Sequence, residues 1–312
     1  MSLVEIFAVT GPITALVLIG YFATKLGLFL QSGIQGLTRF VYNVAMPAAL
    51  FLSIGRFDIA QVFNPAHFLS YGLASCLIIA LFVCTYRFVF KRSSLEAIIS
   101  SIGAFSANGM MIGFPIFLAL YGPEGVLAVV HLVLVQDAFL IPCILALSDY
   151  FSGGSTSGWG AIKSAIKRIG RNPIVLGVAL GVAYALLDVQ LPEPFLQPLV
   201  LLSQTVAGVG LFLIGAMLVG IKPTGMGGPI IFNTICKLIL HPALVLLAFG
   251  LFPTLNQEIK IMGIIAASMP MVGLYSVIVS NYIDAREASA ATLVATALSF
   301  VTMSVWIWVA LN

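Results

Sequence analysis

The stretch that decides the fold is "SANGMMIGFPIF", Ser106 to Phe117. It lies inside an apolar run long enough to cross a membrane. Yet Asn108, Gly109, Gly113 and Pro115 each weaken or interrupt a helix. Hydrocarbon offers no hydrogen bonds to the backbone groups that such a break releases. A membrane segment broken in its middle therefore needs partners inside the protein, or a ligand.

The surrounding composition fixes the solvent. The chain is 61% hydrophobic and 8% charged, against roughly 25% charged residues in soluble domains, and its mean hydropathy is +1.12. Such a chain cannot cover itself with polar surface. Its long uninterrupted apolar runs predict membrane helices rather than a barrel. The start, "MSLVEIFAVTGPI", carries Glu5 where a secretory signal has basic residues, so the first segment is expected to remain as a span. Cys76, Cys84, Cys143 and Cys236 all lie in apolar runs without metal-ligand spacing, and read as small core residues.

Spans of about 20 residues are expected at roughly 3–25, 35–55, 66–90, 95–121, 125–149, 172–188, 196–220, 229–252, 258–281 and 287–311. Lys25, Arg39, Arg87, Lys91, Arg92, Lys163, Lys167, Arg168, Arg171, Lys222 and Arg286 follow odd-numbered spans or flank them, whereas only Arg56 and Lys260 fall on the other side. Eleven against two orients the odd loops to the cytoplasm and both termini to the outside. In a bacterium that means a multi-pass inner-membrane protein with periplasmic termini. The connection 151–171 ends in "WGAIKSAIKRIG", which suits a short helix on the inner surface or a basic loop.

A shift of 160 residues superposes Ala107, Met111 and Gly113 on Ala267, Met271 and Gly273, and Ile54 and Gly55 on Ile214 and Gly215. A shift of 161 superposes Pro12, Ile13 and Gly20 on Pro173, Ile174 and Gly181. The chain thus divides into 1–150, a linker, and 172–312. Five spans per half force the second half to enter from the opposite side, which gives an inverted repeat, a common plan for secondary transporters. The predicted fold is all-α: ten transmembrane helices in two inverted five-helix repeats. Spans four and nine are both broken, at Asn108–Pro115 and around "AASMPMVGLYS" with Pro270 and Gly273. Paired breaks mark a midplane binding site.

At "NGMMIGFP" and "ASMPMVGLYSVIVSNY" the chain resembles the auxin efflux carrier family, which includes bacterial malonate transporter-like proteins. "SGIQGLTRFVYNVAMPAALF" and "RNPIVLGVALG" extend the resemblance to essentially all 312 residues. It implies the ten-span fold of bile acid/sodium symporters and sodium/proton antiporters, with two broken helices crossing in a transport domain. It also implies an organic anion as substrate and a homodimer. By position, Asn108 and Pro115 match the family's first break and Pro270 its second. The central loop is short here, unlike that of the long plant carriers, so a bacterial-type carboxylate fits better than auxin.

Asp137 lies mid-span in "HLVLVQDAFLIP" without a basic neighbour one turn away. A carboxylate there must be paired, hydrated or protonated, which suits proton coupling or a cation site; the bland alternative is a protonated acid bonded to a neighbouring helix. Gln136 lies about 100° around the helix from it. Asn108 offers donors and an acceptor at the break. Ser106, Ser268, Tyr275, Ser276 and Asn281 are weaker candidates, as is Asn43 ahead of Pro47. His131 reads as a packing residue. Lys237, one turn from His241, is expected to snorkel to the cytoplasmic interface, with substrate contact as the alternative.

The expected site is therefore Asn108, Gly109, Gly113, Pro115, Asp137, Ser268, Pro270, Gly273, Tyr275 and Asn43. No cofactor or nucleic-acid partner is expected; H+ or Na+ is the candidate coupling ion, and the surrounding partner is the lipid bilayer. The chain lacks HExxH, GxSxG and P-loop patterns, so a membrane-embedded enzyme is disfavoured. A channel or facilitator for anions is the alternative to a carrier.

Overall fold

The computed structural model describes residues 3–55, 57, 59–152, 166–167, 169–187, 191–217, 219 and 227–311. Most of the 151–171 linker, including the proposed surface helix, lies outside them. Among the described residues the chain is entirely helical, with no β-strand. Six helical runs are long and apolar enough to span a membrane: Ser32–Ile54, Ala60–Phe88, Ser94–Phe151, Glu193–Met217, Gly228–Gly250 and Arg286–Leu311. The 58-residue Ser94–Phe151 run covers the expected spans four and five together.

The chain forms two compact units, each assembled from separated segments. The first comprises Met1–Phe63, Gly109–Val130 and Asn172–Ile221; the second comprises Asn64–Asn108, His131–Arg171 and Lys222–Asn312. Each unit therefore draws on both halves of the sequence.

In the first unit, the Leu3–Lys25 helix runs along Glu193–Met217, and Pro173–Leu187 runs along Met46–Ile54. The first pair meets backbone to backbone. A Cβ at Gly20 would sit 1.9 Å from the Phe212 carbonyl oxygen, and one at Gly215 would sit 1.8 Å from that of Val17. Lipid gives helices no hydrophobic reason to associate, so such close backbone approach is what holds them. Ile34, Val41, Met111, Leu213 and Ala216 form a buried cluster in the same unit.

In the second unit the helix starts are written in the sequence. Asn64 accepts the His67 N–H ahead of Pro65–Phe88, Ser93 and Glu96 form a capping box, and Asn256 accepts from the Glu258 N–H. Arg92 binds both Glu96 and Glu287, which ties the start of Ser94–Ser100 to the start of Arg286–Leu311.

Both spans are interrupted, but span four breaks at 106–108, upstream of the expected Asn108–Pro115, where Gly109, Gly113 and Pro115 lie in helix. The first half-helix of span four ends with Ile102–Phe105, and Ser106 is extended at φ −65°, ψ 135°. That of span nine, Gln257–Ser268, ends on an extended Met269 at φ −65°, ψ 153°, and helix resumes at Tyr275–Ser280.

Four π-helical segments punctuate the described residues: Val41–Ala45, Gly109–Gly113, Val133–Leu140 and Cys236–Leu240. Each ends two residues before a proline, namely Pro47, Pro115, Pro142 and Pro242. A proline ring clashes with the carbonyl four residues back and gives it no N–H. A widened turn just upstream absorbs that clash without ending the helix. Pro12 and Pro198 also sit inside helices, and no such segment precedes them.

Candidate functional site

The two breaks meet inside the second unit. The backbone N–H of Asn108 donates to the Pro270 carbonyl at 2.8 Å, so the two extended segments are joined by main chain. The Asn108 side chain is buried, and its Nδ2 lies 3.8 Å from where a Cβ on Gly273 would stand. Asn108 thus meets Pro270 and Gly273.

The backbone groups freed by the break are taken up by two residues that sequence reasoning undervalued. Gln136 is buried; its Oε1 accepts the Ala107 N–H at 2.9 Å, and its Nε2 donates to the Phe105 carbonyl at 3.3 Å and to the Tyr71 hydroxyl at 3.1 Å. Lys237 is fully buried and does not snorkel, contrary to expectation. Its Nζ donates to the carbonyls of Phe105 at 3.1 Å and Ala267 at 2.9 Å, and faces His241 Nδ1 at 3.3 Å. Snorkelling loses because the C-terminal ends of two half-helices, each with partial negative charge and carbonyls lacking partners, lie within reach. The other nitrogen of His241, Nε2, is 3.0 Å from Ser75 Oγ.

The Ala107 and Asn108 N–H groups, bonded to Gln136 and Pro270, are therefore not available to a ligand. A side chain at the break is not so engaged. The Ser106 hydroxyl is fully buried and has no hydrogen-bond partner among the described residues. Nearly all buried polar atoms are bonded, so an orphan at a helix break calls for an explanation. The Ser268 hydroxyl, in contrast, folds back onto the Ile265 carbonyl at 2.7 Å.

The remaining predicted residues are elsewhere. The Tyr275 hydroxyl donates to the Ser100 carbonyl at 2.9 Å and accepts from Asn233 Nδ2 at 3.0 Å, so it braces three helices. Its ring lies against Gly103, where a Cβ would come within 2.7 Å of Tyr275 Cζ. Asp137 is half-buried within Val133–Leu140, and no salt bridge includes it among the described residues. His131 stacks on His67 with ring centroids 4.4 Å apart, which fits its reading as a packing residue. Gly109, Gly113 and Pro115 belong to the first unit, where a Cβ on Gly210 would lie 3.3 Å from the Met111 carbonyl. Asn43, in the same unit, is exposed and donates to the Arg39 carbonyl at 2.8 Å. Among the described residues no cluster of His, Cys, Asp or Glu could hold a metal ion.

A helical membrane chain with two interrupted helices bonded to each other at their breaks has a construction that suits a membrane transporter. The comparisons agree: residues 6–307 match the family described as Membrane transport protein. The chain belongs to that family, the auxin efflux carriers. It is 30% identical over 307 residues to "Uncharacterized transporter YfdV" of Escherichia coli K12, covering 96% of this chain and 95% of that one. It is 25% identical over 306 residues to the "Putative malonate transporter" of Rhizobium meliloti, covering 96% and 94%. Over 241 residues it is 27% identical to the "Lysosomal cholesterol signaling protein" of Mus musculus, covering 70% of this chain and 26% of that one.

Proposed function

We propose that the chain is a secondary transporter of a small carboxylate of the malonate class. It works by alternating access, as a homodimer in the bacterial inner membrane. The observation that carries the reading is the Asn108–Pro270 backbone bond, which unites the two breaks. Irregular backbone at membrane depth is tolerated where it lines a cavity or is buried in protein, and paired discontinuous helices place substrate sites at the midplane. The relative from Rhizobium meliloti, named for malonate, supports the substrate class.

The carboxylate is held at the crossing by the Asn108 amide and the orphan Ser106 hydroxyl. H+ or Na+ is the coupling ion, and Asp137 is the group that exchanges a proton if coupling is to H+. The ten-span inverted repeat is part of the same proposal. Gly20 and Gly181, equivalent under the 161-residue shift, both sit at close helix contacts. A Cβ on Gly181 would stand 3.0 Å from the Phe51 carbonyl, and the helices concerned pair as first with seventh and sixth with second. A two-fold relation between halves requires that exchange.

The test is equilibrium binding of malonate to purified protein. A hydrogen bond to a charged group contributes about 1.5–3 kcal/mol, so Asn108→Ala should weaken binding roughly ten- to a hundredfold and leave the protein folded. Wild-type affinity in that variant, or malonate bound away from the two breaks, would overturn the proposal.

A further inference from the structure

The Lys237 Nζ donates to two carbonyls, Phe105 O and Ala267 O, and lies 3.3 Å from His241 Nδ1. His241 Nε2 lies toward Ser75 Oγ, and the roles of its two ring nitrogens depend on the tautomer. The second lone pair of the Phe105 carbonyl is occupied by Gln136 Nε2 at 3.3 Å. Among the described residues no salt bridge includes Lys237, so carbonyl and imidazole dipoles alone balance the charge.

The position is unusual in what it gathers. Phe105 closes the first half-helix of span four, and Ala267 is the penultimate residue of the first half-helix of span nine. Both are carbonyl-bearing C-terminal ends, where the helix dipole is negative and the last carbonyls lack intrahelical partners. Two such ends converging on one point make a cation site. In discontinuous-helix transporters, unwound carbonyls of this kind coordinate the coupling sodium.

We propose that Lys237 is a resident cation, which fills the place at the crossing where those carbonyls would otherwise hold a sodium ion. The crossing then binds no free sodium, which narrows the coupling ion to H+, and its negative helix ends stay neutralised through the whole cycle. Lys237 is a positioning residue, because its Nζ is fully buried and engaged by two helix-end carbonyls and His241. This deepens the transporter reading and rests on it only for transport; occupancy of the carbonyl site stands independently.

The experiment is thermal unfolding of purified protein in sodium chloride against choline chloride at equal ionic strength, without substrate. Wild type should melt at the same temperature in both. Lys237→Ala keeps the carbonyls and opens room beside them. It should melt lower than wild type in choline and recover part of the loss as sodium is titrated in. Lys237→Met fills the volume with apolar atoms and should melt lower in both salts without recovery. A sodium-dependent rise in wild type, or a Lys237→Ala variant indifferent to sodium, overturns the proposal. Should the Ala variant fail to fold in either salt, the wild-type titration decides: indifference upholds the proposal and a rise overturns it. Uptake assays in the two salts are read separately, so failure to transport malonate would count against the substrate assignment and leave the sodium result standing.

Discussion

Gln136 and Ser106 are neighbours of one break and play opposite parts. Gln136 satisfies an N–H and a carbonyl that the break releases. Gln136→Leu removes both bonds and leaves the buried Ala107 N–H orphaned, at about 1–3 kcal/mol; a fall in melting temperature in detergent is expected. Ser106 has no bond to lose among the described residues. Ser106→Ala should therefore hold or raise the melting temperature while weakening malonate binding, and a variant with unchanged affinity would remove Ser106 from the site. Asp137→Asn keeps volume but cannot titrate, so the pH or cation dependence of uptake should change while the protein stays folded. Asn108, Pro270 and Gly273 were legible because a proline, a glycine or an amide in an apolar run breaks a local rule. Gln136 and Lys237 were not, because their partners lie 29 to 132 residues away. A polar side chain in a span reads the same whether it turns inward or snorkels.

At the scale of the helix, proline and the widened turn work together. Pro242 cannot donate to the Leu238 carbonyl four residues back, and that carbonyl accepts from the Trp306 indole N–H at 2.9 Å. Trp306→Phe should cost about 0.6–2 kcal/mol, the usual range for hydrogen bonds between membrane helices. In a Pro242→Ala background the new backbone N–H competes for the same carbonyl, so the Trp306→Phe loss should shrink. Equal losses in the two backgrounds would mean that the indole packs rather than caps. Helix positions were largely readable from hydropathy; Glu193–Met217 starts three residues before the expected 196. The π segments were not, since proline announces a disturbed turn without saying whether the helix kinks, ends or widens.

For the whole molecule, side-chain pairs join span ends that the ten-span reading puts on one side of the membrane. Arg92 joins Glu287, Tyr282 reaches Asp149 at 2.6 Å, and Tyr86 reaches the Pro229 carbonyl at 3.3 Å. Each pair connects span ends that the distribution of Lys and Arg assigns to the cytoplasm. Single cysteines at Lys91 and Lys167, in a background without other cysteines, should label only from the cytoplasm, and one at Glu193 only from the periplasm. Labelling of position 193 from the cytoplasmic side would end the ten-span model. The division expected at 150 and 172 follows the proposed repeat; the compact units cut across it, because a repeat is read along the chain and packing is not.

That cutting-across bears on how the protein is made. The carbonyl of Phe105 and the N–H of Asn108 enter the bilayer early in synthesis, but Lys237 and Pro270, which bind them, are translated more than a hundred residues later. During that interval the broken helix holds unsatisfied polar groups in a medium that cannot solvate them. The nascent chain must keep this segment hydrated, or sheltered by the insertion machinery, until the later helices arrive. Biogenesis, more than the finished fold, is then the stage at which a shortened chain is lost: one ending at Ile221 should be cleared by quality-control proteases, and co-expressing residues 222–312 as a separate polypeptide should rescue it.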